Sequence, residues 1–416
     1  MKPLKKISAT IIAALSLLTA GCSKNSIPET ECIFSWGGDK TIMENGIYYT
    51  CSNDDGDSIL CYYSKENGRT IPVCGSPSCT HTSKRSPDCA ALMDSVFGFY
   101  PWGDNLYYFA YSMDNNSIDL MTCSLNGLNK RTVSTVEDTF APFIKSVEYV
   151  DDYVLLSYKI MYEIDEEKLK SGIGGSVSLE LDKTKVFDQK IYLSSGDITT
   201  LVEKEGYNAS IWGGVIEDDT LYYAFSEYTD KLEIDSETGE YAGGLKREDV
   251  YRYGYYALDT KDGSERKLSE GYDCLAPIAP CFDHFSKDIV CYSMTDDKLY
   301  KFISDSGEFE YFADCYNASS NYACDERDAL FLKTPDAENY TRYNFETRTF
   351  TDIPRRNCPL GEIYLNGVYI IGDTAWFDYS ADDGSFCMGY VDRNDFFDGN
   401  FDSAVFAFDV NKFGGK

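Results

Sequence analysis

Short runs of large apolar residues, most of them introduced by two polar or glycine residues, recur along this chain. Asn45-Gly46-Ile47-Tyr48-Tyr49 is the first and Asp104-Asn105-Leu106-Tyr107-Tyr108 the clearest. Asp151-Asp152-Tyr153-Val154, Asp218-Asp219-Thr220-Leu221, Lys287-Asp288-Ile289-Val290, Asp328-Ala329-Leu330-Phe331 and Asn366-Gly367-Val368-Tyr369 follow. From the first large apolar residue of one copy to the next, the spacings are 59, 47, 68, 68, 41 and 38 residues. Periods of about 40–50 residues with insertions fit propeller blades. A second pattern trails each copy: an apolar run, a polar turn often containing Gly, then another β-favouring run. Leu60-Cys61-Tyr62-Tyr63 before Asn67-Gly68 is one case, and Val405-Phe406-Ala407-Phe408 is the last. Asn-Gly and Asp-Gly between such runs make hairpins, because Gly tolerates positive φ. The pattern predicts an all-β chain, a seven-bladed β-propeller of four-stranded antiparallel blades. The last pattern ends at Asp409 and leaves only a short Gly-containing tail. The spare run 30–36 is therefore expected to complete the seventh blade as an N-terminal closing strand, which removes an open edge.

The first 29 residues stand apart. Lys2, Lys5 and Lys6 precede a short apolar stretch, Ile11 to Leu18, and then Leu18-Thr19-Ala20-Gly21-Cys22. That run resembles a bacterial lipobox, with small residues before a cysteine that receives lipid. Residues 1–21 read as a lipoprotein signal peptide, 22–29 as a tether and 30–416 as the propeller. The resemblance implies an exported protein, lipid-anchored through Cys22 to the outer face of the cytoplasmic membrane.

The formal charge of -31 falls to -34 once the three lysines of residues 1–21 are removed. Phosphates would be repelled by such a chain, so nucleic acid is not an expected partner.

Ile47-Tyr48-Tyr49-Thr50 and its copies resemble strands of low-density-lipoprotein-receptor-type and TolB-like β-propellers. With the lipobox, the run Pro72-Val73-Cys74-Gly75-Ser76-Pro77-Ser78-Cys79-Thr80-His81 to Cys89-Ala90 is similar to surface lipoproteins of Gram-positive anaerobes. The resemblance implies fold and location and leaves the chemistry open.

Cys74, Cys79, His81 and Cys89 carry the sharpest chemical signal, three cysteines and one of the chain's 2 histidines within 16 residues. Three thiolates and an imidazole make a closed tetrahedral zinc set, structural because no position is left for substrate. Disulfides in an exported protein, or reduced thiols with His81 incidental, are the competing readings. This segment, 74–89, falls between blades 1 and 2. Cys51 and Cys61 flank a turn symmetrically, as do Cys281 and Cys291, so each pair is a candidate for facing thiols or a disulfide. Asp392-Arg393-Asn394-Asp395 and Asp398-Gly399-Asn400 suggest calcium weakly, since Phe397 stands where a calcium loop needs Gly.

Other catalytic signals are thin. His284 reads as structural, which leaves no Ser-His-Asp set. Asp54/Asp55, Asp218/Asp219 and Asp382/Asp383 fall at predicted turns, where Asp is favoured for its local hydrogen bonds. Ser52-Asn53-Asp54-Asp55-Gly56 resembles the Asp-box turn of sialidase propellers, a fold element. Three long segments, 159–189, 227–254 and 373–403, read as insertions between second and third strands, all on the face that carries 74–89. The third is rich in Asp and aromatics, which suit a carbohydrate or a cationic group. Trp376 and Tyr379 are its candidate ligand contacts. These features lead to the expectation of a non-enzymatic surface propeller that binds a carbohydrate, peptide, cationic group or protein partner. The alternatives are a carboxylate-dependent glycan-active enzyme and an accessory subunit of an envelope complex.

Overall fold

The computed structural model describes residues 32–34 and 40–410, apart from 162–182, 229–250, 272–274, 284–287, 294–296, 318–321, 355–357 and shorter gaps at 54, 77, 94, 113–114, 140–141, 151, 218, 304–305, 307 and 325–326. Cys22, the lipobox, His284 and the side chains of Cys281 and Cys291 lie outside the described residues. Within them no helix is long and apolar enough to cross a membrane.

Strands follow one another as antiparallel meanders in six sheets. The first holds β1 (Cys32–Phe34), β2 (Lys40–Met43), β3 (Gly46–Ser52), β4 (Ser58–Ser64) and β5 (Arg69–Pro72). The second holds β6 (Val96–Trp102), β7 (Asn105–Ser112), β8 (Ser117–Ser124) and β9 (Arg131–Val136). The third has seven strands: β10 (Phe143–Val150), β11 (Tyr153–Met161), β12 (Lys183–Tyr192), β13 (Ile198–Glu217), β14 (Thr220–Tyr228), β15 (Tyr251–Asp259) and β16 (Glu265–Gly271). Its long β13 pairs β12 through Ile198 to Tyr207 and β14 through Tyr207 to Glu217, so one strand serves two meanders.

The fourth sheet holds β17 (Leu275–Asp283), β18 (Asp288–Ser293), β19 (Lys298–Ile303) and β20 (Glu308–Asp314). In the fifth are β21 (Tyr322–Cys324), β22 (Asp328–Phe331), β23 (Asn339–Asn344) and β24 (Thr349–Pro354). The sixth comprises β25 (Glu362–Ile371), β26 (Thr374–Ser380), β27 (Phe386–Asp392) and β28 (Val405–Asp409), with the short helix α1 (Arg393–Phe397) between its last two strands.

The repeated aromatic motif has a packing reason. A strand's side chains alternate between its two faces. Ile47 and Tyr49 of β3 face a core shared with Trp376, Met388 and Phe408 of the sixth sheet, while Tyr48 faces Phe99, Leu106 and Tyr108 of the second. Tyr107 and Phe109 then pack on Val147 and Leu156 of the third sheet. An inner strand is buried on both sides, so it reads as a continuous apolar run. Outer strands lose that cover: β22 is buried throughout, whereas β24 buries only Ile353. Sheets stacked face to face in this way are a propeller-like all-β architecture.

The expected N-terminal closure is corrected. β1 pairs with β2, as Cys32↔Met43, Ile33↔Ile42 and Phe34↔Thr41, so it extends the first sheet. The sixth sheet needs no donated strand, because β25 to β28 supply four of its own. The miscount came from Asn366-Gly367. That dipeptide does not turn a hairpin; it sits where β25 bulges, between Ile363 and Val368 in the pairing with β26. Gly in a strand interior often marks such a bulge. The hairpin turn is Gly372-Asp373, with Gly372 at φ +55. The last repeat copy therefore belongs one strand later, at Thr374-Ala375-Trp376-Phe377.

First and last sheets instead meet through side chains. Lys40 Nζ lies 2.7 Å from Asp378 Oδ1 and both are buried. Tyr49 stacks on Phe408 with centroids 4.0 Å apart, and Lys65 donates to Thr374 Oγ1.

The segment 373–403 is accordingly not an insertion, since it contains β26, β27 and α1. Its one extra piece, α1, lies between a third and a fourth strand, opposite to the face assumed for it. Trp376 (0% exposed) and Tyr379 (2%) point into cores and are not surface contacts. The suggested calcium run is a helix cap: Asp392 accepts from the backbone N–H groups of Asn394 and Asp395. Such a cap satisfies orphan donors of a helix start.

Candidate functional site

The Cys/His segment leaves β5 and returns along β4. Val73 N–H donates to Leu60 O at 2.9 Å, and Leu60 N–H donates to Ala91 O at 2.8 Å. Both ends of the loop are thus pinned to one strand. Its tip rests on the β3–β4 turn. Asn53 Nδ2 donates to His81 O at 2.8 Å, Asp57 Oδ2 accepts from Ser83 N–H at 2.8 Å, and Lys84 Nζ meets Asp55 Oδ1 at 2.7 Å. Asn53 also orders its own turn, its Oδ1 accepting from the N–H groups of Asp55 and Asp57. The acidic turn residues expected to be structural have that role here, and Asp383 likewise accepts from Ser385 N–H.

Inside this loop the donor atoms of Cys74, Cys79, His81 and Cys89 all lie within 4.8 Å of one another. His81 turns its Nδ1 to Cys89 Sγ at 3.4 Å, and the His81 backbone N–H donates to Cys79 Sγ at 3.4 Å. Burial holds the imidazole below its ordinary pKa, which favours the neutral form that binds metals. The four residues could hold a metal ion. None of the three cysteines is in a disulfide. Cys51 and Cys61 also stay unbridged, with Sγ atoms 3.6 Å apart. Their register is diagonal, Cys51↔Ile59 and Tyr49↔Cys61, rather than directly opposed.

A second cluster was not read from the sequence. Pairing sets Glu148 opposite Leu155, Ser146 opposite Ser157, and Ser157 opposite Asp188. Opposed residues share a face. These five and Leu221 of β14 line one small cavity. The space is about that of one water molecule. Ser157 Oγ donates to Asp188 Oδ1. Asp188 is 5% exposed, and its Oδ2 has no hydrogen-bond partner among the described residues. Burial, with the Asp188 charge adding to it, pushes Glu148 up to about 8. Burial lifts Asp188 to about 6, against the pull of the Ser157 hydroxyl. Near neutral pH Glu148 therefore carries a proton that Asp188 has mostly lost. The available signal was a lone acid inside each of two apolar runs, Val147-Glu148-Tyr149 and Val186-Phe187-Asp188. Reading 159–189 as an insertion hid the second.

No family model matches the chain, and no curated protein matches it. Solved structures do. A puromycin-hydrolyzing peptidase of Mycobacterium tuberculosis is similar with a TM-score of 0.54 and 11% identity, over 92% of this chain and 54% of that one. An acylaminoacyl peptidase in complex with Z-Gly-Gly-Phe-chloromethyl ketone is similar at 0.52 and 14%, over 91% and 53%. The β-propeller domain of the Trilobed protease from Pyrococcus furiosus gives 0.48 and 12%, over 92% and 99%. The chain spans about half the length of the two peptidases. At these identities the likeness concerns the fold. It corrects one expectation nonetheless. Both of these peptidases have TM-scores above 0.5, so this architecture does not mark a non-enzymatic binder. Glu148 and Asp188 place two acids on one cavity, a pairing that the sequence reading did not find. Together these findings overturn the reading of a non-enzymatic surface binder.

Proposed function

We propose that this protein is a carboxylate-dependent enzyme acting on glycans, with Glu148 as proton donor and Asp188 as its ionised partner. The observation that carries the reading is that two acids from the strands flanking β11 line one cavity, and burial there raises them unequally, Glu148 to about 8 and Asp188 to about 6. Such a division assigns one carboxyl the acid role and the other the base or nucleophile role. Cleavage of glycosidic bonds uses this pair of roles. The unpartnered Asp188 Oδ2 is placed to take a hydrogen bond from a water or hydroxyl entering the cavity. In this reading the chain forms seven four-stranded blades, the third sheet counting as two joined through β13. It stands outside the cytoplasmic membrane on a lipid at Cys22, and its Cys/His cluster carries zinc.

Reducing-end release from a panel of polysaccharides tests the activity. Glu148→Gln and Asp188→Asn each cut the rate by about 10²–10⁴-fold, the range for loss of a general acid or base. The rate of the unmodified protein peaks between about pH 6 and about pH 8, because Asp188 must be ionised and Glu148 protonated. Variants as active as the parent would remove both residues from the chemistry, and turnover of peptides but no glycan would remove the substrate class. Cys22→Ala leaves an unlipidated precursor, measured by mass spectrometry and by partition into detergent. A variant that is still matured and acylated contradicts the anchor.

A further inference from the structure

The loop 74–89 contains a contradiction that a ligand resolves. It is 16 residues long and is pinned at both ends to Leu60 of β4, yet between Cys74 and Cys89 it contains no Val, Ile, Leu, Met, Phe, Tyr or Trp. Burial of apolar surface therefore cannot hold its interior together. Segments without a hydrophobic core of their own depend on disulfides or a metal. No disulfide is present at these cysteines. What the loop does bring together is a set of ligand atoms within 4.8 Å of one another, with Cys89 buried and the other three half-buried.

Their arrangement is that of a metal shell. A tetrahedron with Zn–S bonds of about 2.3 Å has ligand atoms about 3.8 Å apart, so the observed spread closes with small movements. Two similar turns present the thiols: Cys79 N–H donates to Ser76 O at 3.2 Å, and Cys89 N–H donates to Ser86 O at 3.0 Å. His81 adopts φ +54, uncommon for a residue with a side chain, and this directs Nδ1 inward. Local strain of that kind persists when the surroundings enforce it. Here the enforcing contact is the Asn53 amide on the His81 carbonyl. Next to the loop, Gly127 packs so closely that an added Cβ would lie 2.4 Å from Val73 O, so the β8–β9 hairpin of the second sheet abuts its base.

We propose that Cys74, Cys79, His81 through Nδ1, and Cys89 bind one Zn²⁺ that staples this loop over the seam between the first two sheets, and that Asn53 is a positioning residue for His81. Soft thiolates with one imidazole select zinc over the hard cations that prefer oxygen. Four protein ligands close the shell, so the ion supports structure and takes no substrate. The site goes beyond the proposed activity and stands or falls without it.

The test uses the mature full-length protein purified without chelator. Elemental analysis gives one zinc per chain, and Cys89→Ser loses it. Cobalt substituted for zinc shows thiolate-to-metal charge-transfer absorption. Competition with a chromophoric chelator shows zinc affinity about tenfold weaker in Asn53→Ala, the lower end for loss of an outer-shell contact. Because Cys89→Ser can also fail to fold, hydrogen exchange of the unmodified protein is followed as chelator is added. Protection falls within 74–91 while the six sheets keep theirs. Protein without metal, or 2 Da lighter from a disulfide inside the cluster, overturns the zinc centre. An unchanged zinc affinity in Asn53→Ala overturns the positioning role.

Discussion

Trp376→Ala lowers the unfolding free energy by about 3–5 kcal/mol, the cost of emptying a fully buried aromatic site. Trp376 is 0% exposed on β26 and contributes to the core between the sixth and first sheets. Its ring meets Tyr390 at 4.8 Å and, edge-on, Tyr63 of the first sheet at 6.1 Å. Such pairs add to the area they bury. Its Nε1 has no hydrogen-bond partner among the described residues, so Trp376→Phe should cost less than Trp376→Ala. Urea unfolding of the three proteins gives the comparison. A Trp376→Ala protein with undiminished stability and lost glycan turnover would return this residue to the role of a ligand contact.

Asp378→Ala destabilises by a similar amount, about 3–5 kcal/mol, by leaving the Lys40 ammonium in the interior without its carboxylate. Lys40 Nζ reaches Asp378 Oδ1 at 2.7 Å and Oδ2 at 2.8 Å, and both side chains are under one-tenth exposed. The ammonium also lies 5.3 Å from the centre of the Tyr369 ring. Lys40 belongs to the first sheet and Asp378 to the last, so the pair spans nearly the whole chain. Converting both partners together, Lys40→Met with Asp378→Leu, removes the charge and should recover most of the loss, since apolar replacement of a buried pair is often neutral. If thermal unfolding shows the double variant as weak as Asp378→Ala, the argument from uncompensated charge fails.

Both effects sit where the sequence was least legible. Local chemistry determined a good deal of this protein. Gly56, Gly68 and Gly127 all adopt positive φ at turns between successive strands, as their dipeptides foretold. Runs such as Ile47-Tyr48-Tyr49 became strands buried on both faces. Cys74, Cys79, His81 and Cys89 needed only a short loop to meet, and the loop is local enough for their convergence to be read from spacing. The tertiary structure decided what depends on partners far along the chain. Asn366-Gly367 and Gly372-Asp373 are similar turn signals, and only the pairing of β25 with β26 makes the first a bulge and the second a hairpin. Trp376 and Tyr379 carry no mark that separates a core aromatic from a binding one; the neighbouring sheets settle it by covering them. Glu148 and Asp188 come from strands about 40 residues apart. They become neighbours because register places both on one face, where Leu221 of a further strand joins them in lining one cavity. Spacing along a chain encodes turns and local clusters, whereas desolvation is a property of what packs on top.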